Sequence, residues 1–512
     1  MDNRKTERRE IAQRREADRS EAQERRVLLD RRNFVIRSFT SVGALTAVAA
    51  CGGGGAAEEV ETPELIAERS SRSGRNPRSS DATPAPTLAP TPQPTLAPTP
   101  QPTLAPTPAP TLTPTHQPTP APTPAPSAAP SWAPASGGQI RPVATANTFH
   151  SQNGNLAGWE GAFGKIVNDF SGGVFNPYWG SLGAMVFHGG GHSATYDNSV
   201  VILDLNDLTF KRLSNPTPSN NGANWTDSAS DPAFNTTYCE YGDAQPGSAH
   251  TYDTLAILPP GDGGAPYGSL IRVSSHAVHA GMSRNTGFSH RFDFQSTTMR
   301  EGKWTRWSVN APTSYLNPGA CSAYDSRRKR FWWMAALSSS PPSVRYLDVA
   351  TQQQREAAPY LGWDRAAPGA NPDSPTLRYD ALRDLLVLSC TVGGQFVLAY
   401  LRCASPELGW IRPALSASIP AWSGGSHPFD FVPEAGNKMV LLTGADTGAV
   451  FDIAPPTDLT QAWSVTRRSV AGSTIPGAWV AGKRWSYCAG AKSFVWMASS
   501  TSGVLAYRPV DV

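Results

Sequence analysis

The segment from Ser214 to Ala249 contains the side chains best suited to bind a sugar. Asn224, Trp225 and Asp227 lie close together in it, and Tyr238 follows. An indole ring can stack on the apolar face of a sugar, while amide, carboxylate and phenol groups hydrogen-bond to its hydroxyls. We therefore predict that these four residues bind a glycan. The alternative is that this aromatic-rich loop only packs on the domain beneath it.

Histidines supply the other candidate ligand-binding residues. His192 follows three glycines, and His250 and His427 each stand two residues before an aromatic that begins a repeated unit. We predict that His250 and His427 lie at the mouth of a central channel and that His192 belongs to a ligand-binding turn. In a six-unit ring His250 and His427 are on opposite sides, too far apart to share one ion at about 2.0 to 2.1 Å. No metal and no cofactor are therefore predicted.

His276 and His279 form an H-x-x-H motif that could bind a metal. A strand places residues three apart on opposite faces, which disfavours a shared ion. A loop could still bring the pair together, with His290 as a third ligand. We favour ordinary polar or packing roles for all three.

Catalytic motifs are absent from the sequence. It contains no G-x-S-x-G, no H-E-x-x-H and no P-loop. The domain has an odd number of cysteines, which we expect to be mostly buried free thiols. Cys390 and Cys403 are not predicted to pair, because a turn at 392 to 395 sets position 390 across from about 397. No catalytic residue is identified, and whether the chain is an enzyme stays open. The five cysteines are Cys239, Cys321, Cys390, Cys403 and Cys488.

The elements that position these side chains are short strands. From residue 139 to 512, apolar runs of four to seven residues alternate with Gly, Pro, Asn, Asp and Ser, which predicts an all-β domain. An aromatic followed about seven residues later by an apolar strand recurs along this segment. A second anchor follows in each unit, so we predict one β-propeller of six blades, with seven as the alternative. The second anchors are Asp204, Asp293, Asp348, Tyr400, Asp452 and Tyr507.

Two features of the repeat predict structure rather than chemistry. An aspartate at equivalent positions of four units is typical of a structural turn cap, whereas an active site should break the symmetry. The sixth unit lacks an outer strand, since the chain ends after Tyr507. We expect a strand from the start of the domain, within Ile140 to Phe149, to complete that sheet and close the ring.

The first unit resembles a kelch repeat. It has an apolar strand ending in Gly190-Gly191, then Tyr196, then Leu203-Asp204, and Phe210 where Trp is usual. Kelch propellers include the central domain of galactose oxidase. That resemblance implies, as an alternative function, an envelope oxidoreductase or lyase with a copper site. The Tyr-His motif of that family is not found here.

A proline-rich segment precedes the domain. Residues 82 to 134 contain 19 of the 47 prolines, and an eight-residue unit recurs as TLAPTPQP, TLAPTPQP, TLAPTPAP and TLTPTHQP. Proline fixes φ and removes backbone donors, so we predict that residues 51 to 138 form a disordered linker with an extended polyproline II stalk. At about 3.1 Å per residue the stalk could span on the order of 160 Å. A docking ligand for another protein is the alternative.

The first 51 residues resemble two bacterial export signals in succession. Arg31-Arg32 with Phe34 is similar to a twin-arginine motif, and Val48-Ala49-Ala50-Cys51 is similar to a lipobox. The apolar run between them has about 12 residues, fewer than the roughly 20 that cross a bilayer. We predict that residues 1 to 50 are removed and that a lipid on Cys51 anchors a lipoprotein in the cell envelope. Gly52 favours the outer membrane; the face is left open.

The charge balance excludes one class of partner. The predicted signal holds 12 of the 44 basic and 8 of the 41 acidic residues, which leaves 32 basic and 33 acidic residues. The remainder lacks the basic excess and the Arg/Lys clusters that nucleic-acid binding requires. A glycan or an envelope protein is therefore the predicted partner, and nucleic acid is not.

Overall fold

A computed structural model describes much of the chain from residue 129 onward. The described residues are 129–148, 167, 171–189, 198–214, 240, 244–247, 251–273, 276–279, 282–285, 288–295, 303–310, 320–334, 344–358, 373–422, 425–478, 482–500 and 502–512. Their regular structure consists of 25 strands and a few short 3₁₀ turns. Within these ranges, no helix is long and apolar enough to cross a membrane.

Twenty-three of the strands form six antiparallel sheets, which are the six blades of a propeller, and the other two form a separate hairpin. The first strand, β1 (Ile140–Val143), belongs to the last blade. Blade 1 contains β2 (Gly173–Asn176), β3 (Ala184–His188), β4 (Val200–Asp204) and β5 (Thr209–Arg212). Blade 2 contains β6 (Leu255–Leu258), β7 (Ser269–Arg272), β10 (His290–Asp293) and β11 (Trp304–Arg306), and the hairpin β8 (His276–His279) and β9 (Met282–Asn285) lies between β7 and β10 in the chain. Blade 3 contains β12 (Cys321–Asp325), β13 (Arg330–Met334), β14 (Val344–Asp348) and β15 (Gln354–Ala358).

The second half of the ring repeats this pattern. Blade 4 contains β16 (Asp373–Asp380), β17 (Leu385–Val392) and β18 (Gln395–Arg402), and an isolated bridge from Tyr400 to Ile411 stands in the place of its fourth strand. Blade 5 contains β19 (Phe429–Val432), β20 (Lys438–Leu441), β21 (Ala449–Ala454) and β22 (Ser464–Ser469). Blade 6 contains β23 (Ser486–Cys488), β24 (Ser493–Trp496) and β25 (Val504–Tyr507), with β1 as its outer strand.

Ring closure follows the sequence prediction. β1 pairs antiparallel with β25, in a register that runs from Ile140 opposite Tyr507 to Val143 opposite Val504. The sheet of blade 6 therefore joins the two ends of the domain. The prediction of six blades is confirmed, and the six second anchors all lie in the third strands of their blades.

The hydrophobic core lies between the blades. One buried cluster joins Val174 and Val186 of blade 1 to Leu255, Leu270 and Phe292 of blade 2. Strands such as β3 and β4 are buried along their whole length, because both faces of each sheet pack on neighbouring blades. Burying one such side chain contributes about 1.5 to 3 kcal/mol, so the interfaces between blades carry much of the stability.

Side chains also join the outer strands of neighbouring blades. Asn147, just beyond β1, accepts from the backbone N–H of Phe210 at 2.7 Å and donates to its carbonyl at 3.0 Å. Asn310, beyond β11, makes the same pair of bonds to Gln354 at 2.8 and 3.0 Å. The Asn147 side chain thus bonds to blade 1 as a neighbouring strand would, and the Asn310 side chain bonds to blade 3 in the same way.

The antiparallel strand order gives the propeller two different ends. The turn end carries the links from first to second and from third to fourth strands. The connection end carries the links from second to third strands and from one blade to the next. The indole of Trp132 donates to the carbonyl of Leu205 in a turn of blade 1, and Arg508 donates to the carbonyl of Pro134. The described chain therefore begins at the turn end.

Candidate functional site

Aspartates fix the turns of the turn end. Asp204 Oδ1 accepts from the backbone N–H of Asn206 at 2.9 Å, and Asp348 Oδ1 accepts from that of Thr351 at 3.0 Å. Their equivalents in blades 2 and 5 bond differently: Asp293 accepts from Ser269 Oγ, and Asp452 forms an ion pair with Lys438. Asp204 and Asp348 therefore cap turns, as predicted, whereas Asp293 and Asp452 bond to side chains instead.

Asp325, Asp384 and Cys403 bring three possible metal ligands within 4.8 Å of one another. A cation already occupies this cluster. Arg328 donates to both oxygens of Asp384 at 2.7 Å and to Asp325 Oδ2 at 3.0 Å. Burial, with the two carboxylates, raises the pKa of the Cys403 thiol and keeps it protonated. The group is therefore an arginine-centred brace between blades 3 and 4.

The centre of the connection end is filled by a charged cluster. A 3₁₀ turn, Gly482–Arg484, precedes blade 6. From it, the Lys483 ammonium donates to the carbonyls of Asp253 and Leu255 at 2.6 and 2.8 Å and to Ser322 Oγ at 3.1 Å. One side chain thus binds the inner strands of blades 2 and 3 from the turn before blade 6.

Asp253 is the counterpart of Lys483. It accepts from the backbone N–H groups of Lys483 at 2.9 Å and of Leu377 at 3.1 Å, so it also reaches blade 4. Burial raises its pKa and lowers that of Lys483, and each charge offsets part of the effect on the other. A Cβ on Gly482 would lie 2.6 Å from Asp253 Oδ1, so this turn requires glycine. The Lys483–Asp253 pair, which we call the central lock, therefore joins blades 2, 3 and 4 to the turn before blade 6.

A second buried polar cluster lies between blades 1 and 2. His188, Arg272 and His290 are completely buried there. His290 Nε2 lies 2.8 Å from Glu240, and Arg272 Nη1 donates to the carbonyl of Gly247 at 2.7 Å. Glu240 and Gly247, near the end of the Ser214 to Ala249 segment, are therefore attached to the second and third strands of blade 2.

Trp422 forms an aromatic platform at the same end of the propeller. It belongs to the connection between blades 4 and 5 and is half-buried. Its ring lies against two glycines: a Cβ on Gly444 would be 2.5 Å from Cδ2, and one on Gly477 would be 2.6 Å from Cη2. Those glycines come from the β20–β21 link and from the connection between blades 5 and 6. Any side chain at either position would displace the indole.

The backbone of Trp422 is fixed as well. Thr391 Oγ1 lies 2.8 Å from His427 Nε2 and 3.2 Å from the Trp422 carbonyl, and the Trp422 N–H lies 3.4 Å from the same Nε2. The His427 ring packs edge-on to Phe396, with 5.0 Å between centroids. Burial lowers the pKa of His427 to about 4, so the ring is neutral at pH 7. The platform is thus held rigid from blades 4 and 5.

A small cavity adjoins this platform. Its volume is about 10 Å³, enough for about one water molecule. Thr443, Gly444 and Gly477 line it on the side of Trp422, and Trp496 lines it from blade 6. The platform therefore rests beside a small gap between blades 5 and 6, not over a deep pocket.

The predicted site residues divide into two groups. Asn224, Trp225, Asp227, Tyr238, His192 and His250 lie outside the described residues, as do Cys51, Arg31, Arg32, Phe34 and Cys239. His427 is described and fully buried. His276 and His279 both lie in β8. The four described cysteines are free and buried, as predicted: Cys321, Cys390, Cys403 and Cys488.

Sequence reasoning missed Trp422, Lys483 and Asp253. Asp253 and Lys483 are 230 residues apart, and no motif joins them. The position two residues before the aromatic anchor is not structurally equivalent in different blades. Tyr379 lies near the end of β16, whereas Phe429 begins β19, so His427 lies before its strand. The sequence shows Gly444 and Gly477, but not that they contact Trp422. That contact is visible only in the structure.

Similar proteins were sought by sequence and by structure. No family model matches the chain, and no curated protein matches it. Among solved structures, the allergen Mala s 1 of Malassezia sympodialis is 10% identical, with a TM-score of 0.38 over 67% of this chain and 92% of that one. An α-L-arabinofuranosidase of Fusarium graminearum, solved with arabinobiose, is 12% identical, with a TM-score of 0.42 over the same shares. An auxiliary nutrient binding protein of Bacteroides ovatus is 10% identical, with a TM-score of 0.38 over 67% of this chain and 69% of that one.

Proposed function

We propose that this chain is a cell-envelope lipoprotein that binds a glycan at the connection end of its propeller. The observation that carries the proposal is the Trp422 platform. Its indole is half-buried and fixed on Gly444 and Gly477, at the end of the propeller opposite to the one where the described chain begins. A rigid aromatic face loses little conformational entropy when it contacts a ligand.

The surroundings of the platform supply polar groups beside the apolar ring. Asp446, two residues from Gly444, accepts two bonds from Arg467, at 2.6 and 3.0 Å. The carboxylate and guanidinium together can accept from and donate to sugar hydroxyls. An aromatic surface with a few fixed polar groups is typical of small-ligand sites. Trp225, Asn224, Asp227 and Tyr238, from the segment between blades 1 and 2, are proposed as a second, separate contact with the sugar.

The proposed anchor and stalk give the domain a location. A lipid on Cys51 would hold the chain at the outer membrane, and the proline-rich stalk would link that lipid to the propeller.

A glycan array probed with the full chain, followed by calorimetry on the strongest ligand, tests the proposal. Trp422→Ala should lower affinity by about tenfold, since one well-packed aromatic contact contributes on the order of 1 to 2 kcal/mol. Tyr178→Ala is the matched control: Tyr178 is 37% exposed but lies at the turn end, so affinity should not change. Trp225→Ala tests the second part of the surface, and unchanged affinity would reject its assignment.

Two other results would overturn the proposal. Saturable binding of an envelope protein, with no glycan bound at any concentration tested, would replace the sugar with a protein partner. Elemental analysis that finds stoichiometric copper or another transition metal would favour the oxidoreductase or lyase alternative over a protein that only binds.

A further inference from the structure

Both turn-end links of blade 4 carry an exposed leucine. Leu382 lies in the link from β16 to β17 and is 60% exposed, and Leu408 lies in the link from β18 to Ile411 and is 62% exposed. The two links are joined, because the backbone N–H of Cys403 donates to the carbonyl of Asp384 at 3.2 Å. The leucines therefore belong to the same end of one blade.

Hydrogen-bonded turns hold these two leucines in solvent. Asp380 accepts from the backbone N–H of Leu382 at 3.0 Å. Leu408 ends the 3₁₀ turn Pro406–Leu408, and its N–H donates to the carbonyl of Ser405 at 3.2 Å. Because the turns are already ordered, little backbone entropy is lost when the leucines enter an apolar medium.

Basic side chains lie beside the leucines. From blade 3, Arg327 Nη2 donates to the carbonyl of Ala381 at 2.8 Å, next to Leu382 in the chain. Arg383 follows Leu382 and donates to the carbonyl of Pro455 in blade 5 at 3.1 Å. We call this surface the leucine face and define it as Leu382, Leu408, Arg327, Lys329, Arg383 and Arg402.

The ion pairs of the leucine face place the cation outside and the carboxylate inside. The side chain of Arg327 is 52% exposed and that of its partner Asp384 is 15% exposed. For Lys329 and its partner Asp262 the values are 55% and 18%. Glu407 is the exposed carboxylate in the two turn-end links of blade 4. Since the Debye length is about 8 Å at physiological salt, the outermost charges dominate contact with another surface. The leucine face is therefore electropositive.

We propose that the leucine face docks on an anionic lipid bilayer. The leucines enter the boundary between headgroups and acyl chains, and the basic side chains bind lipid phosphates. A bilayer is favoured over an acidic protein or polysaccharide because it offers an anionic surface with an apolar layer directly beneath it. The inference depends neither on the glycan nor on the lipid proposed at Cys51.

Co-sedimentation of the full chain with vesicles of equimolar phosphatidylglycerol and phosphatidylcholine tests the proposal. Residues 1 to 51 are common to all variants, so a difference between variants reports on the propeller. The double variant Leu382→Ser, Leu408→Ser should lower the partition coefficient by at least about tenfold, because burial of one leucine contributes about that factor. Arg327→Gln should lower it by about fivefold, the contribution of one cation near an anionic surface. All three positions are exposed, so Tm should not change.

Arg467→Gln is the matched control for charge. The Arg467 side chain is 49% exposed and pairs with Asp446 at the connection end, so its removal changes the net charge by the same amount in another place. This variant should bind the anionic vesicles as the wild type does. On vesicles of phosphatidylcholine alone, Arg327→Gln and the wild type should bind equally, because no anionic lipid attracts the cation.

Hydrogen exchange of the full chain locates the contact. With the anionic vesicles, peptides covering 381 to 384 and 404 to 409 should exchange more slowly, and peptides covering 443 to 448 should not change. Unchanged exchange in the first two peptides would overturn the proposal, even if the chain binds vesicles through its first residues. Equal partition of the wild type and of Leu382→Ser, Leu408→Ser would also overturn it, and would leave a contact of charges alone, such as an acidic protein makes.

Discussion

The two ends of the propeller differ in how side chains stabilise the links between strands. At the turn end, the link from first to second strand in blade 3 is repeated in blade 4: Asp325 and Asp380 each accept from two backbone N–H groups and bind an arginine three residues on. In the links between blades, the Asn147 and Asn310 bonds are also repeated. Among the described residues of the connection end, the Lys483 lock and the Trp422 platform each occur in one place.

This difference distinguishes residues that stabilise the fold from residues that are candidates for binding a ligand. A residue that recurs in several blades is explained by the turn it closes, because each blade needs that turn. A residue that occurs once needs another explanation: ring closure for Lys483, and ligand contact for Trp422. Substitutions at the turn end should therefore alter stability, and substitutions at the connection end should alter binding. The central lock is the exception, because it lies at the connection end but stabilises the ring.

Asp253→Ala should have the largest effect on stability. It leaves the Lys483 ammonium buried without its counter-ion, and breaking a buried pair in this way costs about 3 to 5 kcal/mol. Urea unfolding followed by tryptophan fluorescence would measure the loss. A loss below about 1 kcal/mol would show that the lock is not needed for closure.

The double variant Asp253→Leu, Lys483→Met distinguishes charge from shape at the lock. Replacing both partners with apolar side chains removes the desolvation penalty and can be nearly neutral. We expect it to recover more than half of the stability that Asp253→Ala loses. No recovery would mean that the carbonyls of Asp253 and Leu255, left without the ammonium, dominate the loss.

Asp325→Ala and Asp380→Ala should have similar, intermediate effects. Each removes the acceptor of two backbone N–H groups and of an arginine, and bonds to charged groups contribute about 1.5 to 3 kcal/mol. We expect each to lower the free energy of unfolding by about 2 to 3 kcal/mol, with ligand affinity unchanged. Affinity that falls in either variant would contradict the separation between the two ends.

Asn147→Ala should cost less, because it removes neutral hydrogen bonds at a half-buried position. The expected loss is about 1 to 2 kcal/mol. Asn310→Ala makes the matched comparison, since it removes the same two bonds between blades 2 and 3. Only Asn147→Ala should speed hydrogen exchange in β1 and β25, where the ring closes. Equal exchange in those strands for both variants would show that Asn147 does not support the closure.

The sequence could predict what local pattern determines. Spacing identified one second anchor in each of the six units, set Cys390 opposite about position 397 and assigned a strand from the start of the domain to the last blade, and the structure agrees with all three. These depend on strand alternation and turn length, which a few consecutive residues encode. The lock could not be predicted, because it depends on where a lysine and an aspartate from distant blades meet. Trp422 was missed for the same reason: its glycines come from two other links.

Arg467→Ala should have the smallest effect on folding and still test the connection end. Its ion pair with Asp446 is exposed, and such pairs contribute little to stability. We therefore expect no measurable change in Tm. If the platform binds a glycan, removing this guanidinium beside Asp446 should weaken binding by a few-fold, because hydrogen-bond donors to the sugar hydroxyls are lost. Arg355→Ala, which removes an exposed arginine of blade 3, controls for the change in net charge. If Arg467→Ala and Arg355→Ala bind equally well, the ligand surface does not extend from Trp422 toward Asp446.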